Sequence, residues 1–257
     1  MGALEAALRA ARERGGKAFV PYVTGGFPGV DAALLRGLQE AGADAVEVGI
    51  PHSDPIMDGG VIQEASRISL EKGTHPSDVL ATVREAALGI PVVVMTYVNP
   101  VYRIGFEAFC RQLADAGVSG AILPDLPVDE ASGFDALATA RGIDTVLLAA
   151  PGTSAARYAA IGGAAHGFVY CVATYGVTGA RDELSATAQE VVASLRPVTD
   201  LPLLVGVGIG TPAQAETACG FADGVIVGSA LMGCLLDDGP ESLLVLASVF
   251  REAVPTI

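Results

Sequence analysis

The stretch DAVEVGIPHSDPIMDGGVIQ, residues 44–63, opens as an apolar, β-branched run and passes through a Gly- and Pro-punctuated loop into a helical pattern. Its first seven residues read as a buried strand, yet Glu47 stands between Val46 and Val48, and Asp58 follows in the loop. A carboxylate that leaves water without a partner costs several kcal/mol, unless its pKa shifts until it stays protonated. An acid held inside an apolar strand is therefore a candidate for chemistry. The plainer alternative is a period-2 strand that turns one acid to solvent.

The same unit recurs along the chain. Short apolar runs lie at Ala18 to Val23, Ala45 to Gly49, Pro91 to Thr96 and Gly120 to Leu123. Others lie at Asp144 to Leu148, Gly167 to Val172, Leu203 to Gly206 and Gly224 to Val227. Between them come Ala-rich helical patterns such as Asp31 to Ala41, Phe106 to Ala116, Asp129 to Arg141 and Ala186 to Leu195. Strict alternation of strand and helix implies parallel pairing with helical crossovers. Eight units in about 250 residues predict a (β/α)8 TIM barrel. MGALEAALRAARERGG at 1–16 adds an extra N-terminal amphipathic helix. A doubly wound sheet is the alternative, but the glycine fingerprint of a dinucleotide fold does not follow the first strand. No Pro/Ser-rich linker or shift of composition interrupts residues 1–257, which read as one barrel domain.

Composition narrows the function. The chain is 51% hydrophobic and 17% charged, with a net charge of -14. Nucleic acid needs clustered Lys and Arg, and an anionic membrane surface likewise favours basic proteins, so neither is expected as a partner. No apolar run reaches the roughly 18 residues of a spanning helix, and the N-terminus does not read as a signal peptide, so a cytoplasmic protein is expected. Cys110, Cys171, Cys219 and Cys234 lack zinc or dithiol spacing and read as buried thiols. His52, His75 and His166 are scattered, so no metal is expected.

In a barrel of this kind the active site is built from loops after the strands. The unusual loops lie there: VTGGFPG after the first strand, GIPHSDPIMDGG after the second, PDLPVDE after the fourth and ATYGVTGARDEL after the sixth. GVGIGTPAQA follows the seventh strand, with Thr211 as N-cap and Pro212 as first helical residue. Gly228-Ser229 opens a helix after the eighth. Two helix N-termini at these strands make an anion site without Lys or Arg, built from N–H groups, helix dipoles and the Ser229 hydroxyl.

With those motifs in place, the chain resembles the alpha subunit of tryptophan synthase over nearly its full length. The matching stretches are FVPYVTGGFPG at 19–29, VEVGIPHSDPIMDGGVIQ at 46–63, YVNP at 97–100 and GAILPDLPVDE at 120–130. GVTGAR at 176–181, GVGIG at 206–210 and DGVIVGSA at 223–230 complete them. The resemblance implies a lyase, acting without a cofactor of its own, that splits indole-3-glycerol phosphate into indole and glyceraldehyde 3-phosphate in tryptophan biosynthesis. It implies Glu47 and Asp58 as the catalytic pair, and Tyr22, Met95, Ile122 and Tyr170 around the indole. It places Thr178 and Gly179 in a closing loop, and Gly208, Gly228 and Ser229 at the phosphate. It also implies a beta subunit as partner, in an alpha2beta2 complex, which uses pyridoxal phosphate and receives the indole through a tunnel.

The chain departs from the family pattern at His52 for Phe, Gly60 for Pro, Ala173 for Ser, and Val207 and Gly210 for the Phe and Ser of GFGIS. Because the PHSDP loop faces the beta subunit in the family, His52 and Gly60 bear on partner binding more than on chemistry.

The residues support that chemistry independently. Cleaving a bond between indole C3 and a hydroxylated carbon needs a proton delivered to C3, one removed from the hydroxyl, and an acceptor for the ring N–H. Glu47, raised by its apolar strand, fits the first two tasks. Asp58, in a more polar loop, fits the third as an ionised carboxylate. A Schiff-base aldolase would need a lysine at the active end, whereas the two lysines, Lys17 and Lys72, lie away from it. A metal aldolase would have His52, Asp54 and Asp58 as candidates. Sugar-phosphate isomerisation, a weakly active or regulatory phosphate-binding partner of a beta-type subunit, and a stand-alone indole-forming lyase remain the alternatives. Residues 173–184 are expected to act as a lid.

Overall fold

The structure, a computed structural model, describes residues 1–172 and 181–255, and of 181–185 only the backbone. Thr178, Gly179 and Ala173, and with them residues 173–180 of the expected lid, lie outside the described residues. The strands are β1 (Ala18–Thr24), β2 (Val46–Gly49), β3 (Val92–Met95), β4 (Gly120–Ile122), β5 (Asp144–Ala149), β6 (Val169–Val172), β7 (Leu203–Gly206) and β8 (Gly224–Val227). They form a closed parallel barrel in chain order, with β1 pairing β8, which rules out the doubly wound alternative.

Helices enclose the barrel. In chain order they are α1 (Ala3–Glu13), α2 (Ala32–Glu40), α3 (Gly60–Glu71), α4 (Pro76–Ala86), α5 (Val98–Ile104) and α6 (Phe106–Asp115). There follow α7 (Ser132–Thr139), α8 (Ala155–Ala164), α9 (Arg181–Leu195), α10 (Pro212–Cys219), α11 (Ser229–Asp238) and α12 (Pro240–Ala253). Every strand residue but Met95 and Leu148 is buried. Helices cover the outside and side chains fill the inside, so the strands read as near-continuous apolar runs instead of alternating ones.

The N-terminal helix closes the floor. Leu4 sits where Gly120 and Gly167 carry no side chains: a Cβ at either would lie 2.6 or 2.9 Å from Leu4 Cδ2. The Glu5 N–H donates to Asp144 Oδ2 at 3.0 Å, so the first turn of α1 is anchored on the first residue of β5. Two further acids tie strand starts to helices. Asp44 accepts from the Phe19 N–H and from Arg251, and Asp223 from the Leu203 N–H and from Arg196. These bonds fix the end of the barrel opposite the long loops, leaving the C-terminal mouth for the site. Of the four cysteines, expected to be buried, Cys234 is only half-buried. Its position on α11 leaves one side of the helix at the surface.

Candidate active site

Glu47 lies in the middle of β2, only 2% exposed, with its Oε2 lacking any hydrogen-bond partner among the described residues. Burial, reinforced by the charge of Asp58, pushes its carboxyl up to about 8. The strand thus holds a protonated acid at neutral pH. Asp58 lies in the turn before α3, half-buried. Burial raises it to about 6, while the hydroxyl of Tyr97 and the proximity of His52 work the other way. It remains mostly ionised at pH 7, although its setting is less polar than the sequence suggests.

Tyr97 is the main feature that sequence reasoning missed. It is 3% exposed and follows β3; its Oη donates to Asp58 Oδ2 at 3.1 Å and accepts from the Met57 N–H at 3.0 Å. The ring of His52 packs on it with centroids 4.7 Å apart. Asp125, in the PDLP loop, accepts from the Val98 N–H at 2.8 Å and so fixes the start of α5, for which Tyr97 is the cap. The loops after β2, β3 and β4 are thereby bonded to one another. The motif YVNP was visible, but a tyrosine after a strand reads first as core.

Two tyrosines complete the interior. Tyr22 pairs with Glu47 in the register of β1 on β2, and its hydroxyl reaches over Gly49, where a Cβ would lie 2.2 Å from Oη. Tyr170 does the same over Gly206, again at 2.2 Å. Only glycine admits these rings. Burial raises the Tyr22 hydroxyl well above its ordinary range, Asp58 and Glu47 adding to it against the bond to Thr24; Tyr170 is raised by burial, then by Glu47 and Asp58. Met95 and Ile122 are partners in the β3–β4 register, and Met95 also pairs with Gly49. Tyr22, Met95, Ile122 and Tyr170 thus come from four strands, β1, β3, β4 and β6, of the barrel whose β2 carries Glu47.

At the other rim, Gly208 is exposed with φ +100°, and Gly228 caps α11 without a side-chain bond. Ser229 Oγ would lie 3.9 Å from a Cβ on Gly59, the cap of α3. One expectation needs correction. The N-terminus of α10 is not free for a ligand: Thr211 Oγ1 accepts from the Gln214 N–H, and Gln214 Oε1 accepts from the N–H groups of Gly210 and Thr211. The capping box that marks this helix in the sequence consumes its donors. Anion binding after β7 is left to the Gly208 turn. Val207 just before it has φ +63°, a left-handed conformation that is strained for a β-branched residue.

Gly60, where the family pattern has Pro, is the first residue of α3, and a Cβ there would meet nothing within 4 Å. Gly59 before it is extended at φ -72°, ψ 163°, as a residue before proline should be. Gly60→Pro is therefore expected to stabilise the fold by ~0.4–1 kcal/mol, raising Tm by about 1–4 °C. Calorimetry checks this, and a lower Tm would show that the loop requires glycine.

A closed (β/α)8 barrel with one carboxyl near pH 8 and another near pH 6 at its mouth defines an acid–base barrel enzyme. Lys17 donates to the Ala222 carbonyl just before β1, and Lys72 ends α3, so neither lysine reaches that mouth. Residues 8–248 match the family model for the tryptophan synthase alpha chain. The tryptophan synthase alpha chain of Streptomyces avermitilis is 48% identical over 239 residues, covering 91% of this chain and 86% of that one. That of Synechocystis is 43% identical and covers 98% of both. A solved tryptophan synthase of Mycobacterium tuberculosis superposes with a TM-score of 0.91 at 40% identity, covering 98% of both chains. The chain belongs to the tryptophan synthase alpha chain family.

Proposed function

We propose that this chain cleaves indole-3-glycerol phosphate to indole and glyceraldehyde 3-phosphate, as the alpha subunit of tryptophan synthase in tryptophan biosynthesis. The observation that carries this reading is the buried Glu47, unpartnered at Oε2 among the described residues and protonated near neutrality, beside an ionised Asp58. Glu47 gives its proton to C3 of the indole, which leaves the ring as a cation with its positive charge on nitrogen. Asp58 accepts the ring N–H bond and stabilises that charge. Glu47, now a carboxylate, takes the proton of the side-chain hydroxyl as the C3–carbon bond breaks. The bonding electrons return to the ring, the aldehyde forms, and Glu47 ends protonated as it began.

Tyr22, Met95, Ile122 and Tyr170 serve as the walls of the indole pocket, and Thr178 and Gly179 as part of the closing loop. Gly208, Gly228 and Ser229 serve as the phosphate site. The cap of α11 supports this, since Gly228 contributes no side-chain bond and leaves its first-turn donors to a ligand. The beta subunit serves as partner, docking on the loop after β2. There Ile56 is 70% exposed and Met57 38%, beside a groove of about 590 Å³. Among the described residues no helix is long and apolar enough to cross a membrane, which supports a cytoplasmic setting. The test is indole release from indole-3-glycerol phosphate, measured alone and with a tryptophan synthase beta subunit. Absence of indole in both would overturn the reading.

The phosphate assignment has its own test. Gly228→Val would block the backbone, but a Cβ there also lies 3.3 Å from Tyr22 Cδ1 and would disturb the indole end as well. Ser229→Asp separates the two ends. It keeps an N-terminal helix residue favourable to α11 but opposes a dianion. It is expected to weaken indole-propanol phosphate at least about tenfold by calorimetry and to leave the non-phosphorylated alcohol unchanged. Equal weakening of both would place the phosphate elsewhere.

A further inference from the structure

We infer that His52 is a positioning residue for the Asp58 carboxylate, acting through the hydroxyl of Tyr97. The inference rests on the reading of Asp58 as catalytic. Among the described residues Asp58 receives one side-chain hydrogen bond, from Tyr97 Oη at 3.1 Å, and the place of that hydroxyl depends on what holds the ring. One face of the ring meets His52, at 4.7 Å between centroids and 31° between planes. The imidazole is itself fixed, because Nδ1 accepts from the Asp54 N–H at 3.1 Å. The phenyl group of the family pattern would pack on Tyr97 but make no such bond. In this chain the packing ring is tied to its own loop, three residues after the end of β2, and Asp58 ends the same loop. His52, Tyr97 and Asp58 therefore form a closed circuit, from Asp54 through imidazole and phenol to the carboxylate, with the Met57 N–H bonded to the same phenol oxygen.

The charged groups around His52 come from each neighbouring element. Asp54 and Asp58 lie on its own loop. Arg67 and Glu71 lie on α3 across the groove, where Arg67 is bonded to Glu64 and Glu71. Tyr97 follows β3, and Asp125 follows β4. Arg67 is thus engaged by two carboxylates of its own helix, and His52 is the basic side chain that lies on the phenol bonded to Asp58.

The test compares the acid limb of the pH profile of kcat/KM in the wild type and four variants. The limb reports ionisation of Asp58 in the free enzyme. Tyr97→Phe removes a bond to the ionised form and is expected to move the limb upward by about one pH unit. His52→Ala should move it in the same direction, and His52→Phe, which retains ring packing without the Asp54 bond, should return it part of the way. In the His52→Ala/Tyr97→Phe double variant the shift should fall short of the sum of the two single shifts, since the part His52 exerts through the hydroxyl is already lost in Tyr97→Phe and only its direct proximity to Asp58 remains. A limb unmoved by His52→Ala, or shifts that add in full in the double variant, would overturn the inference. Asp58→Asn separates it from the reading beneath: activity retained there removes the catalytic role itself, whereas an inactive Asp58→Asn with an unmoved limb in His52→Ala removes only this proposal.

Discussion

Replacing Glu47 with Gln is expected to lower kcat by about 10²–10⁴ while substrate binding survives. Glutamine preserves the shape that fits between Val46 and Val48 but has no proton to transfer, and loss of one acid–base group typically costs that much. Glu47 is raised from 4.5 to about 8, so the folded chain binds more protons than the unfolded one between those values. The stability contributed by the protonated form is fully present below about 4.5 and is lost as pH rises through about 8. Glu47→Gln has no such loss, so it should be more stable than the wild type above pH 8. An inactive variant that melts higher in alkaline buffer cannot owe its inactivity to unfolding. Near-wild-type indole production by Glu47→Gln would remove the acid–base assignment.

The strands were legible because a parallel barrel buries both faces of each one, so eight β-branched runs stand out; most ends agree with the structure within a residue or two. Glu47 was legible for the same reason, as an acid against an apolar background. Other features depend on contacts that spacing does not encode. Tyr97 reaches Asp58 from 39 residues away through a different loop. The floor of the barrel depends on Leu4 filling space left by Gly120 and Gly167. The amphipathic pattern of α1 announced a helix without saying where its apolar side would go. At α10 the same residues carried two readings, cap and anion site. The cap prevailed because a side-chain acceptor one turn away is always present, whereas a ligand is not.

Asp58→Asn is expected to reduce turnover at least about tenfold, through the ring nitrogen instead of C3. Asparagine can accept the ring N–H bond, but it offers no negative charge to the cation that forms when C3 is protonated. Tyr97 offers the new amide one hydroxyl donor, and the Asp58 carbonyl remains bonded to Gln63 Nε2 at 2.8 Å, so the loop should keep its shape. The pH profile supplies a second reading. With Glu47 near 8 and Asp58 near 6, the pair needs the first protonated and the second ionised, so kcat/KM should be bell-shaped with its maximum near pH 7. In Asp58→Asn the acid limb should vanish. The alkaline limb should move to lower pH, because the Glu47 carboxyl is raised in part by the Asp58 charge and ionises more readily without it. A variant that keeps both limbs where the wild type has them would show that Asp58 is not the group that titrates near 6, and that the ring nitrogen is served by another acceptor.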